Sequence, residues 1–240
     1  MIYDNSYLNN ILRPYILDGD LTRYGGKKDG GYIVNKKYLN LSNVLYTYGV
    51  GDEFSFEEDF LNNFPEYKVH LYDPTINKFP ELKGKVFNHK DGLACEKNND
   101  GLPFDDFLNH VKINNDEKNN ILLKIDAEGV ERVYFQKIDL TKFDNVVQMV
   151  IEFHIFDDYI DCFVDCMLNI NKYFYCIHIH ENNCCGLHSS GIPRVIECSF
   201  INKLYVKEHP ILSNKKYPIK NLDFPNCPWE DKWSIDYSNL

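Results

Sequence analysis

The chain has 240 residues, 44% of them hydrophobic and 15% aromatic, and a formal net charge of −10. That length is near the upper size for one compact domain and supports a substantial core. The acidic balance is wrong for a phosphate-tracking surface, which excludes nucleic acid as an expected partner, and no apolar run approaches the roughly 20 residues that span a bilayer.

The opening residues, MIYDNSYLNN, lack both the basic and the apolar regions of a signal peptide, so a cytoplasmic, reducing location is expected. There the eight cysteines read as small buried hydrophobes rather than a disulfide framework. HIHENNCC gathers His178, His180, Cys184 and Cys185 at a spacing that matches no zinc pattern.

In chain order, residues 1–42 form an N-terminal extension with the glycine-dense stretch GGKKDGGY. Asp29-Gly30-Gly31 is hairpin chemistry, and the loop is expected to touch the ligand site, with Tyr32 packing on a cofactor. The core spans 43–206. NVLYTYGV, YKVHLYD, KVFN, NILLKIDA, VVQMVIEFH and YFYCIHIH are short, β-rich and apolar on both faces, as parallel strands covered by helices should be. RVIECSFINKLYV predicts a longer strand, antiparallel at an edge.

Helices are predicted where Ser55 and Glu58 make a capping box, from Pro103 through PFDDFLNHV, over EGVERVYFQKI and over 158–173. Residues 207–240 form an aromatic tail whose Trp229 and Trp233 are expected to cover a sugar or a partner subunit of a homo-oligomer. The whole reads as one α/β domain with a Rossmann-like, mostly parallel sheet, its ligand site at the carboxyl ends of the strands.

Gly49-Val50-Gly51 falls at a strand-to-helix turn, where glycine permits close ligand approach. Asp73 closes the next strand, 22 residues after Gly51, where a carboxylate can accept ribose hydroxyls. A dinucleotide site would place a pyrophosphate on this helix start and favour a third glycine. Here that glycine is absent, and Asp52 and Glu53 would repel phosphate. S-adenosylmethionine has no phosphate and carries two cationic groups, so the acidic turn favours it over NAD.

YTYGVGDEFSFEEDF, LYDPT, LLKIDAEGVE and VIEFH, in that order, resemble the FkbM-type S-adenosylmethionine-dependent methyltransferases over residues 22 to 205. The resemblance implies a class I methyltransferase fold, a seven-stranded sheet ending in an antiparallel hairpin. It also implies methyl transfer to oxygen, usually a sugar hydroxyl, here of a nucleotide-linked sugar or surface-polysaccharide precursor. It would have Gly49 and Gly51 line the methionine part, Asp73 hold the ribose, Asp91 border the adenine and Asp126 face the reacting centre. In some relatives the residue matching Asp126 joins two acidic residues to hold a divalent ion. Here the second position reads Glu152-Phe153-His154, which leaves a metal open.

His154 is the expected general base, with Asp126 or Glu152 orienting its ring. Glu128 is expected to satisfy amides at a helix start, and His180 is a second rim histidine for substrate contact or loop bracing. Lys27, Lys28 and Arg23 offer positive charge to substrate phosphates. Two other readings remain: an NAD-linked oxidoreductase, or a cofactor-binding partner subunit without catalysis.

Overall fold

Seven runs form the strands of one sheet: β1 (Val44–Tyr48), β2 (Lys68–Tyr72), β3 (Lys85–His89), β4 (Ile121–Ile125), β5 (Val146–His154), β6 (Phe174–Glu181) and β7 (Val195–Asn202); β3, expected to be buried, is an edge strand with no fully buried residue. They belong to a computed structural model that describes residues 3–95, 103–156, 159–230 and 233–239. Across the sheet the order is β3-β2-β1-β4-β5-β7-β6. β2 and β3 run parallel to β1 on one side, β4 and β5 on the other. β7 is antiparallel to both its neighbours. The expected antiparallel strand is therefore real, but it is not at an edge. All eight of its residues are buried between β5 and β6, and β6 forms the edge instead.

Both faces of the sheet are covered, which is why β1, β4 and β5 are apolar at successive positions. Val44, Tyr46 and Tyr48 point to one core, Leu45 to the other, following the two-residue period of a strand. The first core is closed by α1 (Asn5–Leu12), α4 (Phe107–Ile113), α5 (Val130–Lys137) and α6 (Ile160–Tyr173). The second is closed by α2 (Lys36–Leu39), α3 (Ser55–Asn63) and the hairpin pairing Leu21–Tyr24 with Tyr32–Asn35.

Local chemistry moves several expected boundaries. The capping box is not made: Phe54 is the cap residue of α3, and the Ser55 hydroxyl instead accepts from the Gly26 amide and donates to the Gly30 carbonyl. Ser55 thus pins the glycine-rich loop onto the start of α3. Pro103 does not open α4, because Phe104–Asp105 pairs with Gly92–Leu93 and Asp106 caps the helix through the Leu108 amide. The helix expected over 158–173 begins at Ile160; Asp158 lies outside the described residues.

The tail folds back over the β6–β7 end of the sheet. Ile211–Leu212 pairs with Tyr15–Ile16, and Asp223 meets His178 at 2.8 Å. Cys184 and Cys227 form a disulfide, which corrects the expectation that no cysteines pair. The spacing could not reveal it because the tail brings the two Cα atoms to 5.2 Å across 43 residues of sequence. Trp233 packs on the first core while Trp229 stands in solvent. Among the described residues no helix is long and apolar enough to cross a membrane.

Candidate functional site

Strand order reverses between β1 and β4, and at such a switch point the connections leave in opposite directions and open a crevice. A cavity of about 440 Å³ occupies it, walled by the Gly49–Gly51 turn, the ends of β2 and β4, and Asp29 and Gly30 of the glycine-rich loop. The glycine-rich loop thus borders this cavity.

The two glycines serve different ends. Gly49 has φ +78°, and a Cβ there would stand 1.6 Å from the Asp126 carbonyl oxygen, so the fold itself demands glycine. Gly51, at φ +54°, has no such neighbour nearer than 4.0 Å and presents open backbone to the cavity. Asp73 holds this turn in place. One of its oxygens accepts from the Val50 and Gly51 amides at 3.1 and 3.0 Å, the other from Thr75 and Ile76. Burial alone would raise its pKa, but the bonds from Gly51, Thr75 and Val50 hold it below the ordinary value. Asp73 lines the cavity, yet its first task is structural.

Among the described residues the wall carries six acidic side chains, from Asp29, Asp52, Glu53, Asp73, Asp126 and Glu128, and no lysine, arginine or histidine. Its apolar part comes from Pro74, Leu93, Phe104 and Val130. Asp91 is not part of it: one oxygen accepts from the Gly92 amide and the other faces His110 Nε2 at 3.4 Å. Glu57 is also turned away, buried against Lys124 and Thr47 at 3.1 Å each.

Beyond the cavity wall lies a network of ionisable groups. The Tyr32 hydroxyl lies 2.9 Å from Asp126 Oδ2 and 3.1 Å from Glu152 Oε2, bridging the ends of β4 and β5. Tyr32 therefore positions carboxylates rather than packing on a ligand; its ring is buried against Phe56 and beneath the Lys124 ammonium. Asn182 donates to the other oxygen of Glu152. Burial pushes the pKa of Glu152 well up, and the nearby Asp126, Glu197 and Asp29 charges add to it. Asp126 is raised for the same first reason, despite Lys124 and His154.

His154 Nδ1 lies 3.2 Å from Glu131 Oε1, which also accepts the His154 amide. Nε2 is left facing Glu128 at 3.3 Å and Glu152 at 3.9 Å. Burial would depress the ring's pKa, but the Glu131 hydrogen bond and the surrounding carboxylates outweigh it and raise it. Asp126, Glu152 and His154 each offer a ligand atom within 4.8 Å of the others.

Neither Asp126 nor Glu152 orients His154; Glu131 does. Glu128 does not hold the helix start either, because the Gly129 amide bonds Glu131. Glu128 instead adopts φ +52°, a strained conformation for a non-glycine residue, with its carboxylate at the cavity. A signal for Glu131 existed in sequence: it falls three and four residues before Tyr134 and Phe135, on the buried face of α5.

His180 belongs to another neighbourhood. Its Nδ1 lies 3.2 Å from Glu197, under the tail segment containing Phe224 and Pro225, so it braces rather than meets the cavity. Among the described residues the His178–Cys185 cluster assembles no ligand set, since His178, His180 and Cys184 have separate partners.

No family model matches the chain. No curated protein matches it either. A solved structure of a protein from Shewanella sp. PV-4, provisionally named a riboflavin biosynthesis protein, is similar over 71% of this chain and 81% of that one. The identity is 14% and the TM-score 0.26, a likeness too weak to carry an argument. The resemblance to FkbM-type enzymes stands on the sequence motifs alone.

Proposed function

We propose that the chain is a class I, S-adenosylmethionine-dependent O-methyltransferase acting on a sugar hydroxyl. The observation that carries this reading is the cavity wall at the switch point, which among the described residues has six carboxylates and no basic side chain. Such a wall attracts a sulfonium and an ammonium and repels a pyrophosphate, which supports S-adenosylmethionine over NAD. The seven-stranded sheet with its antiparallel β7 is the one the motif resemblance implies.

The same electrostatics bear on the acceptor. Arg23 spends donors on the Gly26 and Lys28 carbonyls, and Arg23 and Lys27 lie over Phe224. Neither is part of the cavity wall, which favours a sugar carrying no phosphate close to its reacting hydroxyl over a nucleotide-linked one.

Bound there, S-adenosylmethionine would supply an activated methyl carbon, whose bond to sulfur would break as the hydroxyl oxygen bonds it, leaving a neutral thioether. The acceptor proton passes by way of the Glu128 carboxylate in the wall to His154 Nε2, 3.3 Å behind it, the ring being held by Glu131. The Glu131 hydrogen bond and nearby carboxylates favour the charged ring, and the charge of a bound cationic cofactor would oppose that shift and favour the neutral base.

The residues also fit a divalent ion. Asp126, Glu152 and His154 would hold it, with Glu131 fixing the imidazole as an outer partner. Two carboxylates and one imidazole suit Mn²⁺ or Zn²⁺ better than Mg²⁺. Such an ion would supply acidity to a bound hydroxyl.

Calorimetry with S-adenosylhomocysteine tests the class, and absence of binding sinks it. Substituting His154→Ala is expected to preserve that binding and abolish turnover of the acceptor.

A further inference from the structure

The wall of the cavity is held from outside by the tail. Asn226, itself buried, donates through Nδ2 to Asp29 Oδ1 at 3.2 Å and to Glu197 Oε1 at 3.3 Å. Asp29 lines the cavity, so one tail side chain fixes the glycine-rich loop against the sheet. Two residues earlier, the Phe224 ring lies under the Arg23 guanidinium and the Lys27 ammonium, both at the root of that loop.

The residue after Asn226 is Cys227, and its disulfide to Cys184 anchors this stretch to the end of β6. Asn183 reinforces the anchor, donating to the Cys227 carbonyl at 2.7 Å and accepting from its amide at 2.9 Å. Cys184 is exposed, so a small dithiol can reach the bond.

We infer that Asn226 is a positioning residue for the cavity and that the Cys184–Cys227 bond is the redox-sensitive clamp that keeps it there. A dithiol reductant opens the clamp: the sulfur–sulfur bond breaks, two protein thiols form, and the dithiol leaves as its own disulfide. The neighbouring free Cys185, although exposed, is a poor substitute attacker, because partial desolvation and the Glu152 and Glu128 charges hold its thiol above the ordinary pKa. With the anchor open, Asp29 loses its fixed partner and the loop wall loosens. In a reducing compartment the site is therefore the weaker-binding form.

The part of this inference that concerns cofactor affinity rests on the proposed function; the part that concerns the loop does not. The test compares the oxidised full chain with the same chain after dithiothreitol treatment, free thiols being counted by alkylation and mass spectrometry. Hydrogen exchange in the peptide covering 25–31 and the Kd for S-adenosylhomocysteine are both read. Reduction is expected to speed exchange in that peptide and to weaken binding about tenfold, the usual scale for losing a preorganised wall. Asn226→Leu, with its disulfide intact, should reproduce both effects.

Two freed thiols with unchanged exchange in the 25–31 peptide would overturn the inference. Unchanged exchange in Asn226→Leu would overturn the positioning role even if the reduced protein loosens. Faster exchange on reduction, in a protein that binds S-adenosylhomocysteine in neither state, supports the clamp and removes the cofactor reading.

Discussion

Replacing Gly49 by alanine tests the central claim about the turn, that the sheet rather than the ligand requires a glycine there. At φ +78° an alanine carries a left-handed penalty of about 1–2 kcal/mol. Its Cβ would also stand 1.6 Å from the Asp126 carbonyl oxygen, a backbone atom that cannot rotate away. Relief requires the ends of β1 and β4 to part. That endangers the Asp126 amide bond to the Tyr48 carbonyl at 2.9 Å and the Gly49 amide bond to the Tyr72 carbonyl at 3.0 Å. With each bond worth about 1 kcal/mol net, Gly49→Ala should cost about 3–4 kcal/mol. Gly51→Ala is the control, since its Cβ meets nothing nearer than 4.0 Å and only the same left-handed penalty of about 1–2 kcal/mol applies. The difference of about 2 kcal/mol corresponds to a gap of roughly 4–8 °C in Tm for a chain of this size. Urea denaturation of both variants measures it. Equal losses, or a Gly49→Ala cost under 1 kcal/mol, would refute the reasoning.

Two further outcomes follow from the buried charges. Burial pushes His70 down to about 4 and lowers His89 and His110, so these three imidazoles bind more protons in the unfolded chain than in the folded one between pH 4 and 6.5. Their contribution to stability should fall as pH drops through that window, by about 2–3 kcal/mol for His70 alone, and urea midpoints for His70→Gln should show a correspondingly changed pH slope against the parent chain. Tyr32→Phe removes the hydroxyl between Asp126 and Glu152 and should destabilise by about 1–2 kcal/mol at pH 7. Because both carboxylates have raised pKa values, acidification protonates the pair and should shrink that cost; a pH-independent loss would contradict the bridging role.

Much of this architecture is legible in the chain because double-sided burial writes continuous apolar runs, as in VVQMVIEFH and NILLKIDA. The Gly49 turn, Asp126 and His154 can be placed at strand ends from the sequence, and strand ends at a switch point are where ligands meet an α/β sheet. What stayed hidden depends on contacts distant in sequence. β7 reads the same at an edge or between two strands, because its burial does not say which neighbours supply it. Asp73 directly follows a strand and Asp91 lies in the turn after the next one, yet only the fold shows that Asp91 turns to His110. Asp73 splits its oxygens among backbone amides, which no spacing reveals. Glu131 looked like one more helical carboxylate, although its place on the Tyr134 face marked it as buried. The Cys184–Cys227 pairing needs the path of the whole tail.

The acidic wall of the cavity also has a kinetic consequence. Six carboxylates around one opening make a potential that draws a cation inward before any contact forms, and dissolved salt screens it over about 8 Å at physiological ionic strength. For a cationic ligand, the association rate should fall as ionic strength rises while the dissociation rate, set by contacts inside the crevice, changes little. For a dianionic ligand the same opening is a barrier that salt lowers. The sign of the salt dependence in stopped-flow therefore reports the charge of what the crevice admits, without knowledge of its identity.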